Sequence, residues 1–132
     1  MDRRLASAWW ALRVGLGAGQ LVAGADKFFD LLANWEMYLS PLALKVVPVS
    51  GTTFLRAVGV VEMILGLAIL TRWTRLGAYA AMVWLVAIAA NLATTGLFYD
   101  LALRDLEIAL AAYALARLTE ARGERPARVE RE

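Results

Sequence analysis

The chain has 132 residues, 61% of them apolar, and a formal net charge of +2 at pH 7. A single domain of this size has too much surface relative to its volume to hide so large an apolar fraction in one core. The composition therefore argues against an ordinary water-soluble fold and predicts that much of the surface faces lipid.

The residue types that are missing exclude several kinds of chemistry. The chain has no cysteine and no histidine, so disulfides, thiol relays, iron–sulfur clusters, histidine-ligated haem and the usual zinc sites lack their ligands. The basic residues lie mostly near the chain ends and in one turn, not among aromatic residues. We therefore expect no nucleic-acid partner and no cofactor held covalently or through a metal.

Four apolar segments follow one another along the chain, each close to the ~20 residues that a membrane-spanning helix needs. They comprise residues 5–25, 52–71, 76–99 and 101–118. These segments predict an all-α fold, an integral membrane four-helix bundle that forms one domain over residues 1–118. Residues 119–132 are charged and contain a glycine and a proline, which predicts a frayed helix end and then a disordered cytoplasmic tail.

The distribution of positive charge predicts the orientation of the spans, because short loops rich in Lys and Arg stay in the cytoplasm. Of the 14 Lys and Arg residues, nine lie in segments that four spans place on one side: Arg3, Arg4, Arg72, Arg75, Arg117, Arg122, Arg125, Arg128 and Arg131. The opposite loops hold only Lys27 and Lys45. Both termini are therefore predicted to be cytoplasmic.

Residues 26–51 connect the first two spans on the outer side and are too apolar for an ordinary solvated loop. Their aromatic and aliphatic side chains favour an amphipathic helix over residues 26–39 that lies in the membrane interface and ends before Pro41. Such a helix would cover the outer end of the bundle.

Six ionisable residues lie within the spans, away from the inner boundary: Arg13, Arg56, Glu62, Arg104, Asp105 and Glu107. A charge facing lipid at the bilayer centre costs about 2.5–3.5 kcal/mol, so the equal numbers of either sign predict pairing inside the bundle. At ~1.5 Å per residue Arg13 and Glu62 lie at the same depth, and we expect a buried ion pair between them. Asp105 and Glu107 point about 200° apart, so one of them needs a loop, a water-filled groove or another subunit.

Small residues predict where helices approach one another. The first span carries a strip of small residues at four-residue spacing: Ala11, Gly15, Gly19 and Ala23. Such a strip predicts the face on which another helix packs closely. The other side of the same span carries a polar face: Arg13, Gly17, Gln20, Gly24 and Lys27. On the second span three residues share one face: Gly59, Glu62 and Gly66.

The polar residues of the outer half predict a small pocket beneath the outer loop. Its candidate ligand-binding residues are Gln20, Lys27, Trp35, Arg56, Asn91, Arg104, Asp105 and Glu107. Cationic and amide donors beside aromatic walls suit a quinone head group or a small anion. The alternative is that the same side chains form a satisfied polar network that only holds the helices together.

Four short motifs carry a family resemblance: Arg13-Val-Gly-Leu-Gly17, Gly24-Ala-Asp-Lys27-Phe28, Gly59-Val-Val-Glu62-Met-Ile-Leu-Gly66-Leu and Arg104-Asp105-Leu106. They resemble the DoxX family of small four-span membrane proteins, which includes DoxD-like relatives, over most of the chain from Leu12 to Leu118. The resemblance implies a protein of the bacterial or archaeal cytoplasmic membrane. The family's recurring polar positions match Arg13, Lys27, Glu62, Arg104 and Asp105.

The resemblance also implies a function. Some DoxX relatives are described as the membrane subunit of a thiosulfate:quinone oxidoreductase or as partners of redox proteins, which implies a membrane or accessory subunit of a quinone-linked system. The chain lacks residues for a thiol or metal redox centre, so we expect a protein partner to supply electrons and assign no catalytic residue. Two alternatives stay open: a non-catalytic scaffold of a membrane complex, and a small-solute transporter that acts as an oligomer.

Overall fold

The structure of the chain, a computed structural model, describes residues 2–32, 34–46 and 50–131. Its helices are, in chain order, α1 (Arg3–Asp26), a 3-10 helix (Trp35–Tyr38), α2 (Pro41–Val46), α3 (Gly51–Leu70), α4 (Thr74–Thr95) and α5 (Tyr99–Arg131). Every regular element in these three ranges is helical, which confirms the all-α prediction. The long helices α1, α3, α4 and α5 correspond in order to the four predicted spans.

Two of the long helices are long and apolar enough to cross a membrane. They are α3 and α4, whose most apolar stretches have mean hydropathies of 2.0 and 1.8. Only 22% and 33% of those stretches are buried inside the molecule. The core helix of a water-soluble protein is instead mostly buried, whereas most of each of these two stretches is not.

The long helices pack as two pairs, α1 with α3 and α4 with α5, and contact between α3 and α4 joins the pairs. A short turn, residues 71–73, connects α3 to α4 at one end of the bundle, which we call the turn end. Residues 27–32 and 34–46 lie at the opposite end, which we call the loop end.

Glycines determine how closely α1 and α3 approach. A Cβ on Gly24 would lie 2.5 Å from the carbonyl oxygen of Gly59, and one on Gly66 would lie 2.6 Å from that of Gly17. The two glycines of each helix are seven residues apart, which returns to the same face after about two turns. Backbone therefore packs directly on backbone at two levels of the pair.

The predicted strip of small residues on α1 is not the contact with another helix. A Cβ added to Gly15 or to Gly19 would have nothing within 4 Å. The close approach uses the opposite side of α1, because only Gly17 and Gly24 match the seven-residue spacing of the glycines on α3. The predicted alignment of Gly59, Glu62 and Gly66 is confirmed, since all three are buried on one face of α3.

A tightly packed core closes the bundle at the turn end. Its fully buried members are Ile69, Ala78, Ala81, Ala112, Leu115 and Ala116. Most of these are alanines, and their small side chains let α4 and α5 pack closely. Trp9 of α1 packs against this core, and its indole N–H donates a 2.8 Å hydrogen bond to the hydroxyl of Thr119.

Helix α5 continues to Arg131, whereas the sequence predicted a helix that frays after Leu118. Two residues directly after Leu118, Thr119 and Glu120, have partners on neighbouring helices. Glu120 accepts hydrogen bonds from Arg75, at 2.9 Å, and from the hydroxyl of Tyr79, at 3.0 Å. The hydrogen bond from Arg75 lowers the pKa of Glu120 from its ordinary value of 4.5. These contacts hold α5 against α4 at Glu120, just beyond the predicted helix end.

The predicted amphipathic helix over residues 26–39 is wrong. The carboxylate of Asp26 accepts hydrogen bonds from the backbone N–H groups of Leu31 and Leu32, at 2.9 and 2.8 Å. A side chain that takes these donors competes with the helical backbone, so α1 ends at Asp26 and the chain turns through Asp30, whose φ is +54°. In the described part of this segment the 3-10 helix and α2 follow, and α2 begins at Pro41, a residue favoured in the first turn.

Asn91 of α4 fastens this loop to the bundle. Its amide oxygen accepts a 3.0 Å hydrogen bond from the backbone N–H of Ser40, and its amide nitrogen donates a 2.8 Å bond to the carbonyl of Tyr38. The hydroxyl of Thr94 donates to that of Ser40, which is only 1% exposed. The loop end of the bundle is therefore covered by a segment fixed to α4.

Candidate functional site

A cavity of about 770 Å³ lies between the four long helices toward the loop end. Its volume falls within the ~300–1,000 Å³ that small-molecule sites occupy. The loop contributes Leu32, Trp35, Tyr38 and Leu39 to its wall. The segment fixed by Asn91 thus borders the cavity on the loop side, while the alanine-rich core lies toward the turn end.

Most of the wall is apolar. Side chains from all four long helices contribute, among them Leu16, Phe54, Leu55, Val58, Leu85, Ile88 and Ile108. Polar groups interrupt this surface at only a few places. An apolar wall with a small number of polar side chains is the usual character of a site for an organic ligand.

The structure brings six of the eight predicted ligand-binding residues to this cavity. They are Gln20, Lys27, Trp35, Asn91, Arg104 and Asp105. Glu62, predicted as a member of a buried ion pair, lies in the wall as well. Residues that are far apart in the sequence therefore meet in one place, and their role in ligand binding stays a prediction.

Arg56 and Glu107 do not belong to the wall, contrary to the sequence prediction. Both residues are exposed. Arg56 follows Leu55, which is buried, and one residue corresponds to a turn of about 100° around the helix. Glu107 lies about 200° from Asp105, which faces the cavity. Of the two acidic residues on α5, only Asp105 points inward.

The predicted ion pair between Arg13 and Glu62 is also wrong. The guanidinium of Arg13 donates to three carbonyl oxygens, those of Ile69, Leu70 and Thr71, at 3.0, 2.7 and 3.0 Å. These carbonyls end α3, where a cation interacts favourably with the helix dipole. The glycine contacts set this register, because they place Glu62 beside Gly24, well away from Arg13.

Glu62 pairs instead with Lys27 inside the cavity wall. The two side chains are only 7% and 5% exposed. The ammonium of Lys27 also lies 3.9 Å from the centroid of the Trp35 ring, which is within the range of a cation–π interaction. Trp35 is held in turn by a 2.9 Å hydrogen bond from its indole N–H to Asp26. The ammonium of Lys27 and the indole N–H of Trp35 therefore already have partners within the protein.

Other polar atoms in the wall have no hydrogen-bond partner among the described residues. They are the side-chain oxygen of Gln20 and the indole N–H of Trp84. Gln20 as a whole residue is only 8% exposed. Buried polar groups in proteins are nearly always hydrogen-bonded, because an unpaired one costs about 1–3 kcal/mol. The arrangement therefore fits a ligand that brings its own polar atoms to Gln20 and Trp84.

Asp105 adds a carboxylate to this group. It is half-buried, lines the cavity, and makes no hydrogen bond or ion pair within the part of the chain that the structure describes. Its charge interacts at longer range with Arg104 and Lys27. Arg104 is exposed at the edge of the cavity. Lys27 and Arg104 contribute two positive charges to the wall, and two carboxylates balance them. These are the side chains of Glu62 and Asp105. The cavity as a whole therefore suits a neutral ligand.

Trp84 also lines the cavity, although it was not among the predicted ligand-binding residues. It lies seven residues before Asn91 and on the same face of α4. The signal was a tryptophan in the middle of an apolar span, far from the interfaces where this residue usually lies in membrane proteins.

The cavity is open along one side of α1. Gly15 and Gly19 line it, both are exposed, and neither would bring a Cβ within 4 Å of another residue. The face that the sequence suggested for helix packing is instead the edge of an opening. A ligand can therefore reach the cavity sideways, between the helices.

Across the described ranges, no group of three or more acidic residues is arranged to hold a metal ion. In the comparisons with known proteins, no family model, no curated protein and no solved structure matches this chain.

Proposed function

We propose that the chain is a four-span protein of the cell membrane, with both termini in the cytoplasm, that binds the head group of a membrane-soluble quinone in the cavity. In this proposal it is a membrane or accessory subunit of a quinone-linked redox system, related to the DoxX family by the motifs quoted above. The turn end then faces the cytoplasm and the loop end faces outward.

Exposed apolar side chains on every long helix support the membrane location. They include Val14 and Val22 on α1, Val60, Ile64 and Leu67 on α3, Val83 and Val86 on α4, and Leu103, Leu106 and Leu110 on α5. Water-soluble monomers rarely expose apolar patches larger than a few hundred Å². A bilayer around all four helices removes this surface from water. The exposed apolar side chains on α1 and α5 therefore support the proposal that these two helices cross the membrane, as α3 and α4 do.

One observation carries the ligand proposal: an apolar cavity with unpartnered buried polar atoms opens sideways, past Gly15 and Gly19. In a bilayer that opening faces acyl chains, from which a quinone enters with its ring first. The ring suits the apolar wall. One carbonyl oxygen can accept from the unpaired indole N–H of Trp84, and the other can accept from the carboxamide N–H₂ of Gln20. The isoprenoid tail stays in lipid.

The redox role requires a partner. The chain has neither cysteine nor histidine, and the quinone itself supplies the two-electron chemistry when it is bound. The residues of this chain bind and orient the head group, and Asp105 is placed to hold a proton beside it. A separate protein delivers or receives the electrons.

Titration of the purified protein with decylubiquinone in nanodiscs tests the proposal. We expect saturable heat of binding at one site per chain, and a thermal midpoint that rises with ligand concentration. A ligand at 100 times its Kd stabilises a protein by about 2.7 kcal/mol.

Two glycine variants make the test specific. Gly19→Leu places a side chain in the open edge of the cavity and is expected to weaken binding at least tenfold. Gly123→Leu is the matched control, because Gly123 is equally free of contacts and lies outside the cavity. Absence of binding to the unaltered protein, or equal affinity in both variants, would contradict the proposal.

A scaffold function is the second candidate, and the exposed charges Arg56 and Glu107 favour it. Both interrupt surfaces that the membrane proposal turns toward lipid, where a partner chain would supply opposite charges. A stoichiometric partner that co-purifies after mild solubilisation, without any quinone binding, would favour the scaffold over the ligand site.

A further inference from the structure

We infer that the turn end of the bundle binds the phosphate of an anionic phospholipid, beside the turn that joins α3 to α4. This site goes beyond the cavity, which lies toward the loop end, and it shares with the proposed function only the location in a membrane. Two arginines and two tryptophans at the turn carry the inference.

Arg13 presents unused donors at this place. Its Nε and Nη2 atoms donate to the three carbonyls that end α3. Its other terminal nitrogen, Nη1, donates to no group among the described residues, and the bond to the carbonyl of Thr71 lies at the exposed surface. Because the guanidinium is already fixed, it loses little rotamer freedom when it binds an anion.

Arg72 supplies a second cation, directly after Thr71. It is exposed and makes no hydrogen bond or ion pair within the described ranges. Its guanidinium lies 5.1 Å from the centroid of the Trp73 ring. Arg75 and Arg117 differ from it, because both pair with the carboxylate of Glu120, at 2.9 and 3.1 Å. Arg72 therefore adds a positive charge that is free to meet an anion.

Aromatic and apolar side chains surround the two arginines. The Trp10 ring lies 5.1 Å from the guanidinium of Arg13, and Trp10 and Trp73 are 49% and 51% exposed. Exposed indoles are typical of the level where lipid head groups begin. Three exposed apolar residues follow within four residues of the arginines along the helices: Val14, Leu67 and Leu76. A phosphate at the arginines therefore has apolar surface beneath it for the acyl chains.

The chemistry of the cluster favours a lipid with a net negative charge. The planar guanidinium group matches the oxygens of a phosphate, and basic sites between membrane helices on the cytoplasmic side bind anionic head groups. The first turn of α4 contains no acidic residue that would repel the phosphate. A zwitterionic lipid also brings a cationic ammonium group, which the arginines repel. Inorganic phosphate shares the anionic chemistry but has no acyl chain.

Thermal unfolding of the full chain in nanodiscs tests the site. One sample contains dioleoyl phosphatidylcholine alone, and the other contains the same lipid mixed with dioleoyl phosphatidylglycerol, at equal salt. We expect phosphatidylglycerol to raise the thermal midpoint by at least about 3 °C, because a ligand that binds the folded state stabilises it. An unchanged midpoint would overturn the inference. Inorganic phosphate added to the phosphatidylcholine sample is expected to have no such effect, and an equal rise would show a site for a free anion instead.

Two glutamine variants separate a site from diffuse surface charge. Arg72→Gln is expected to reduce the rise by at least half. Arg4→Gln is the matched control, because it removes the same charge at the same end of the bundle from an exposed residue about 13 Å along α1 from Arg13. We expect it to keep the rise, and equal reductions in the two variants would contradict a site at the turn.

Arg72→Lys guards against misfolding of Arg72→Gln. It keeps the positive charge and is expected to retain more of the rise than the glutamine variant does, so equal losses in the two would contradict a role for this charge. Decylubiquinone affinity is expected to be the same with and without phosphatidylglycerol. Loss of the lipid effect with intact quinone binding would overturn this inference alone, and the reverse result would overturn the quinone proposal alone.

Discussion

At the scale of single residues, the buried polar groups of this protein mostly bind backbone or a neighbouring helix. Asp26 accepts from two backbone N–H groups, and Arg13 donates to three carbonyls at the end of α3. Asn91 binds the backbone on both sides of its amide. Among the residues that the structure describes, Gln20, Trp84 and Asp105 lack such partners, which is why they mark the site.

Replacing Arg13 tests how much its hydrogen bonds to the end of α3 stabilise the fold. Arg13→Gln removes charged hydrogen bonds, each worth about 1.5–3 kcal/mol at most, from the carbonyls that end α3. We expect a loss of about 1–3 kcal/mol in the free energy of unfolding, measured by thermal or denaturant unfolding in one detergent.

Arg56→Gln is the control for this change. It makes the same substitution in another span, at an exposed residue, and we expect it to alter the free energy of unfolding by less than about 0.5 kcal/mol. Equal losses in the two variants would show that the carbonyl contacts of Arg13 do not stabilise the fold.

At the scale of helices, the α1–α3 contact depends on glycines that allow backbone to meet backbone. Gly66→Ala would place a Cβ 2.6 Å from the carbonyl oxygen of Gly17, so one helix must move. We expect a loss of about 1–3 kcal/mol, typical of overpacking.

Gly19→Ala provides the comparison within α1, because its Cβ meets nothing within 4 Å. Alanine is the better helix former, and a gain of about 0.5–1 kcal/mol is expected. Unfolding of both variants in the same detergent measures the difference. A destabilising Gly19→Ala together with a neutral Gly66→Ala would mean that α3 packs on the other side of α1.

The helices were predictable from sequence, and their register was not. Apolar segments bounded by charge and turn residues predict where helices lie, because each must be long enough to span a bilayer. The pairing of Arg13 with Glu62 failed because depth was counted from the helix ends, whereas Gly24 and Gly59 set the actual level.

The structure of the loop and the membership of the site also depend on contacts that composition does not show. Composition cannot show that Asp26 captures the N–H groups that a helix over residues 26–39 would need. Six cavity residues were predicted because polar residues in an apolar bundle turn inward. Arg56 and Glu107 were not distinguishable from them by composition, since only the direction of each side chain separates them.

At the scale of the whole molecule, apolar surface surrounds all four long helices while the cavity turns its polar atoms inward. This arrangement is the reverse of a water-soluble protein with a polar exterior. It is the arrangement expected of a bundle that is surrounded by lipid, in which the opening beside Gly15 and Gly19 would contact acyl chains. The ligand proposal therefore depends on four membrane crossings.

Single-cysteine labelling tests the four crossings most directly, because the chain has no cysteine of its own. Lys45→Cys and Asp100→Cys lie at the loop end and are expected to react with a membrane-impermeant maleimide on intact cells. Asp2→Cys, Arg72→Cys and Gly123→Cys are expected to react only after permeabilisation. Labelling of Arg72→Cys and Asp100→Cys from the same side, or recovery of the chain in the soluble fraction, would contradict the account.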